Sequence, residues 1–143
     1  MFSWPCYTDS PFPYRNLHPC VRRVYDAVNR SDWDAAFRDA HPEFEMTFQR
    51  GPNAGTHRGR ERLEAMVLDQ RAAFEAWIME PLEMHESGEL VVAIVRSRLR
   101  PKGSSAEFEF RNGHIWTIRD GTILSLVGFP SPEEALQAAG LSE

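Results

Sequence analysis

The chain has 143 residues, 42% of them hydrophobic and 26% charged, with a formal net charge of −5. That length supports one domain with its own core. The acidic balance argues against nucleic acid as the main partner, since a phosphate backbone draws a concentrated basic surface.

No apolar run approaches the ~20 residues that cross a bilayer. Residues 1–17 lack the basic start and apolar centre of a secretory signal. The expectation is a cytoplasmic chain with no membrane contact. Cys6 and Cys20 are the two cysteines. They make no disulfide framework, and a bridge between them is the minority expectation because cytosolic thiols stay reduced.

Residues 1–18 read as an arm. Pro5, Pro11 and Pro13 forbid regular helix, yet Phe2, Trp4, Tyr7, Phe12 and Tyr14 are too aromatic for a free tail. The arm is expected to pack on the domain or on a partner subunit. The domain proper takes residues 19–143.

Pro19 opens a helix from its tolerated first-turn position. Val21, Val24, Tyr25 and Val28 recur at i, i+3, i+4 and i+7, one buried stripe. Ser31 or Asp32 caps a short second helix through Trp33, Ala36 and Phe37. Phe44, Met46 and Phe48 alternate with polar residues, the pattern of a half-buried strand. Gly51 to Gly55 is a loop, and His57-Arg58-Gly59 reads as a helix start, where backbone amides also suit an anion.

Gly59 to about Trp77 is expected to be one amphipathic helix, with Leu63, Met66, Val67, Phe74 and Trp77 on its apolar face. Pro81 allows at most an irregular strand through Met84. Leu90 to Leu99 is a strand, Pro101 to Ser105 a loop, and Ala106 to Ile118 a long strand with a bulge at Asn112-Gly113. Asp120-Gly121 is a hairpin turn of the strongest short-range type. Thr122 to Phe129 is the last strand. Ser131 with Glu134 caps a terminal helix.

Helices followed by a run of strands read as α+β: a cone, with a curved antiparallel sheet wrapped around helices. Its mouth is a natural small-molecule site. On the strand before the hairpin, His114, Trp116 and Ile118 share a face, which puts an imidazole beside a core or a pocket. Arg96 and Arg98 share a side with Leu90, Val92 and Ile94. The opposite side, with Val91, Ala93, Val95 and Leu99, is equally apolar, so periodicity does not decide which one lines the cavity. His18, His41 and His85 lack metal-ligand spacing, so neither metal nor cofactor is expected.

The segments Val21-Arg22-Arg23-Val24-Tyr25-Asp26-Ala27-Val28-Asn29-Arg30-Ser31-Asp32-Trp33-Asp34-Ala35-Ala36, Ala54-Gly55-Thr56-His57-Arg58-Gly59-Arg60-Glu61 and His114-Ile115-Trp116-Thr117-Ile118-Arg119-Asp120-Gly121 resemble three spaced motifs of the SnoaL-like proteins. These belong to the nuclear transport factor 2-like superfamily. The resemblance, over residues ~20–141, implies the same cone fold. It leaves the chemistry open, because the superfamily spans isomerases, cyclases, epoxide hydrolases, dehydratases and non-enzymatic binding domains.

Two of those chemistries meet a departure here. By the family's pattern, the ketosteroid-isomerase base falls on Phe48, its oxyanion Tyr on Val24 beside Tyr25, and its oxyanion Asp near His114. The epoxide-hydrolase carboxylates fall on Arg96-Ser97-Arg98 and around Val127. The expectation is therefore neither of these enzymes. It is a pocket protein of isomerase or cyclase type for an apolar carbonyl compound, polycyclic ones included. His114 would be the acid–base group and Tyr25 an orienting donor. Trp116, Phe48 and Trp77 would form the walls, and Arg96 and Arg98 a clamp if they face inward. A homodimer through the outer sheet face is expected. The rival readings are a small-ligand-binding protein without chemistry and a dimerisation domain.

Overall fold

The computed structural model describes residues 18–141. The expected arm therefore lies outside the described residues, apart from His18, which is buried at the head of the first helix.

Helix α1 (Pro19–Asn29) and the one-turn α2 (Trp33–Ala36) come first. Asp32 is the cap of α2, its carboxylate accepting from the Ala35 amide at 3.2 Å. Strand β1 (Ala40–Phe48) follows, then β2 (Gly55–Arg58), α3 (Arg60–Arg71), β3 (Phe74–Ser87), β4 (Leu90–Pro101), β5 (Phe108–Arg119), β6 (Thr122–Phe129) and α4 (Pro132–Ala138). The six strands form one curved, unclosed sheet in the order β2-β1-β6-β5-β4-β3.

The sheet is antiparallel except where β1 runs parallel to β6. The expected α+β fold with a curved, mainly antiparallel sheet is borne out, with this one parallel pairing added to it. The pairing arises because the whole β2-to-β5 excursion lies between the two strands, long enough for a crossover. Asp120 and Gly121 both hold positive φ (52° and 77°), as a two-residue hairpin demands. Ser131 accepts from the Glu134 amide at 3.2 Å and donates to its carboxylate at 3.0 Å, a reciprocal cap on α4.

Three local expectations fail for stated reasons. Residues Gly55–Arg58 form a strand, not a helix start, since β1 offers them a free edge. Helix α3 stops at Arg71, and Phe74 and Trp77 lie on β3. Their i, i+3 spacing imitates a helix face because the ladder slips between Phe74 and Ala76. That slip lets the two rings meet edge to face, 5.0 Å apart. The β4–β5 ladder runs unbroken through Asn112 and Gly113, and the irregularity falls between Thr117 and Ile118 against β6. Gly113 is small for another reason: a Cβ there would sit 2.5 Å from the Ala135 Cβ, so glycine lets α4 lie on the sheet.

Among the described residues no cysteine is a free thiol, and Cys20 is disulfide-bonded, against the expectation of a reduced pair. The Cys6 end of the considered bridge lies outside the described residues.

The sheet buries two faces. Inside the curve, Val21 and Tyr25 of α1 and Leu63 of α3 pack on Val91, Val95 and Trp116. Outside it, α4 covers Val92, Ile94 and Ile115 with Ala135, Leu136 and Ala139. Each fully buried aliphatic side chain contributes about 1.5–3 kcal/mol. Asn29, at the end of α1, ties the helix to the exposed edge of β3. Its amide donates to the Met79 carbonyl at 2.7 Å and accepts from the Met79 N–H at 2.9 Å. This satisfies an edge that would otherwise recruit another strand.

Candidate functional site

The concave face holds a cavity of about 190 Å³. Helix α1 roofs it with Val24, Tyr25 and Val28, and β5 supplies Asn112, His114 and Trp116 by strict alternation. The walls are almost wholly apolar, with Met46, Phe48 and Trp77 among them. A shallower opening at the end of the sheet, beside Gly128 and Phe129, also reaches Phe48, Asn112 and His114. Gly128 keeps that approach clear: a Cβ would meet the Phe48 ring at 2.8 Å. Below Trp116 the cavity continues as a small apolar recess between α1 and β1.

One polar chain crosses this apolar space. Ser97 Oγ donates to Asn112 Oδ1 at 2.9 Å, and Asn112 Nδ2 lies 3.1 Å from His114 Nε2. His114 Nδ1 is 2.5 Å from Tyr25 Oη, and Trp116 Nε1 donates to the same oxygen at 3.1 Å. An amide nitrogen only donates, so in this arrangement Nε2 accepts and Nδ1 carries the imidazole proton. Tyr25 Oη then accepts twice, and its own proton is left to offer to a third partner. Turning the Asn112 amide over would reverse the chain, with Tyr25 donating to His114. The rings are locked by packing as well: Tyr25 and His114 stack at 5.7 Å, and Trp116 stands edge-on to both.

Burial sets the charge states. Tyr25 is about 1% exposed. Its hydroxyl is pushed well above the usual phenol range by desolvation, against a smaller opposite effect of the Trp116 hydrogen bond. It holds its proton throughout the physiological range. His114 is lowered to about 4 by desolvation, with no carboxylate to offset it. At neutral pH it is an uncharged imidazole that aligns Tyr25. Taking up a proton there is costly, contrary to the ease with which an ordinary imidazole titrates.

The structure brings His114, Tyr25, Trp116, Phe48 and Trp77 to one cavity. Arg96 and Arg98 lie on the other face of β4. There Arg96 meets the buried Glu80 at 2.6 Å, with Arg98 at 3.9 Å from the same carboxylate. Ser97, between them, faces the cavity. The inward clamp is thus ruled out by the alternation itself. Val127, the expected last-strand position, packs outside with Ile115, and Leu126 takes the cavity side. Ser97, Asn112 and Arg71 are cavity residues the sequence reading missed. Period two from Val95 and from His114 marks Ser97 and Asn112. Arg71 was hidden by a helix drawn through the turn that exposes it.

Among the described residues no group of three or more His, Cys, Asp or Glu could hold a metal. No helix there is long and apolar enough to cross a membrane.

The sequence profile of the SnoaL-like domain matches residues 21–126. No curated protein matches the chain. Among solved structures, TerC co-crystallised with polyporic acid is similar at a TM-score of 0.72 and 17% identity, covering 85% of this chain and 94% of that one. A nuclear transport factor 2-like protein of Burkholderia thailandensis aligns at 0.70 and 25% identity, covering 87% and 95%. A candidate polyketide cyclase of Sinorhizobium meliloti aligns at 0.65 and 23%, covering 79% and 95%. Likeness at this level of identity speaks for the fold.

Proposed function

The chain belongs to the SnoaL-like domain family, and from that premise we propose that it binds an apolar carbonyl compound with the carbonyl oxygen on Tyr25. The supporting observation is the hydroxyl itself, proton-bearing and buried at the floor of an apolar cavity, its oxygen held by Trp116 and His114. Such a donor strengthens its bond as a carbonyl becomes an enolate, because the site is dry and already oriented.

The cavity is comparable to one of about 150 Å³ that takes benzene. It lies below the range of about 300–1,000 Å³ for drug-sized ligands. One or two rings fit this size better than the polycyclic compounds first considered.

In the enzymatic reading, Tyr25 stabilises an enolate while His114 takes the α-proton on Nε2, displacing the Asn112 hydrogen bond, and returns it to carbon as the carbonyl re-forms. This would be chemistry of isomerase or cyclase type. The co-crystallisation of TerC with polyporic acid and the candidate cyclase assignment of the Sinorhizobium protein lie in the same direction. A second reading, a binding domain without chemistry, is supported by Phe48 at the family's base position and by the depressed basicity of His114.

Acetophenone in D₂O separates the two. If the protein is an acid–base enzyme, NMR will show accelerated deuteration of the methyl group, lost in Tyr25→Phe and His114→Asn. Saturable binding without deuteration would leave the ligand-binding reading. Absence of binding would refute both. A homodimer through the outer face remains part of the proposal, to be checked by sedimentation.

A further inference from the structure

The cavity lining also includes one cationic side chain. Among the described residues there, Arg71 is the one with a formal charge. Arg71 ends α3 and reaches across the α3–β3 turn. Its Nη1 donates to the Trp77 carbonyl at 3.1 Å, and its guanidinium lies 5.6 Å from the centre of the indole.

That geometry fixes the fork but uses only part of it. Arg71 Nη2 is buried without a hydrogen-bond partner, and so is Trp77 Nε1. Two buried donors from adjoining side chains, both lining one cavity, lack acceptors. Native proteins rarely tolerate this without a reason.

Several other arginines are ion-paired. Arg58 pairs with Glu45, Arg60 with Asp34 and Glu64, Arg96 with Glu80, and Arg119 with Glu89. Arg71 has no carboxylate acting on it among the described residues, desolvation being the one influence on its charge, in a chain whose formal charge is −5. Burial also lowers its basicity, and an anion beside it would restore what desolvation takes away.

We infer that Arg71 and Trp77 form a carboxylate-binding subsite, so that the ligand is an aromatic keto acid spanning the cavity. Its acid group sits on Arg71 and Trp77, and its carbonyl on Tyr25. A guanidinium suits this role because its planar fork takes both oxygens of a carboxylate. Val28 and Val67, which line the same cavity, supply apolar surface for the ring. This inference rests on the proposed carbonyl site at Tyr25 and adds the substrate class to it.

The test titrates the full-length protein calorimetrically at pH 7 with 4-acetylbenzoate, 4-acetylbenzamide and acetophenone. The wild type is expected to bind the acid about tenfold or more tightly than its neutral isostere, the worth of one charge-assisted hydrogen bond. Arg71→Met is expected to equalise acid and amide, and acetophenone, which has no acid group, reports any change in the cavity itself. Arg71→Lys keeps the charge without the fork, and should retain part of the preference even if Met disturbs the turn.

Equal affinity for acid and amide in the wild type, or a preference that survives Arg71→Met, overturns the subsite. In either case the carbonyl reading stands if Tyr25→Phe still weakens all three probes. Binding of none of the three overturns both.

Discussion

The two faces of β4 are almost equally apolar, yet they do different work. Toward the concave side point Val91, Ala93, Val95 and Ser97; toward the convex side, Val92, Ile94, Arg96 and Arg98. The convex apolar residues are covered by α4, and where α4 ends the face turns to charges that neutralise one another around Glu80. The concave face is covered by α1 and α3, which stand off far enough to leave a cavity. The polar groups of its strands, Ser97, Asn112 and His114, are neutral and hydrogen-bonded in series to Tyr25 rather than ion-paired. A buried salt bridge would satisfy its own charges and offer a ligand nothing. A neutral chain with a spare hydroxyl proton keeps something to offer.

Acid should break this comparison most strongly. His114 has a folded value of about 4 against 6.5 for a free imidazole. Above pH 6.5 neither state is protonated, and its contribution is constant. Below that the unfolded chain takes up a proton and the folded one does not. Stability should therefore fall as the pH drops from 6.5 toward 4, by roughly 3 kcal/mol for this group. Chemical denaturation across that range checks it. His114→Asn should flatten the slope, leaving the smaller contribution of His18, which burial lowers in the same sense.

Tyr25→Phe comes next. It leaves the Trp116 N–H and His114 Nδ1 without their shared partner, at an expected cost of about 2 kcal/mol in urea unfolding. It should also weaken carbonyl binding. On the convex face, Arg96→Met removes the closer partner of Glu80 but leaves Arg98. A loss of about 1 kcal/mol is expected, with the acetophenone affinity unchanged. A changed affinity would show that the two faces are coupled. The smallest effect belongs to Ser97→Ala, about 0.5–1 kcal/mol from one hydrogen bond to Asn112. It should weaken acetophenone binding slightly by loosening His114.

Elements that depend on local rules follow from the sequence alone. The stripe Val21, Val24, Tyr25 and Val28 made α1, the Asp120-Gly121 pair made the β5–β6 hairpin, and Ser131 with Glu134 made the start of α4. Period two placed His114, Trp116 and Ile118 on one face. These signals survive because helix spacing, turn dihedrals and strand alternation are set within a few residues. Tertiary structure decided the rest. Phe74 and Trp77 became strand residues because β4 was there to pair with them, and Gly55–Arg58 because β1 had a free edge. Which face of β4 lines the cavity depended on where the helices land, since the two apolar sets are alike. The 2.5 Å meeting of Tyr25 with His114 joins positions 89 residues apart. The unpaired donors of Arg71 and Trp77 emerged only once a turn replaced the expected helix, since no local pattern records how a folded cavity closes around them.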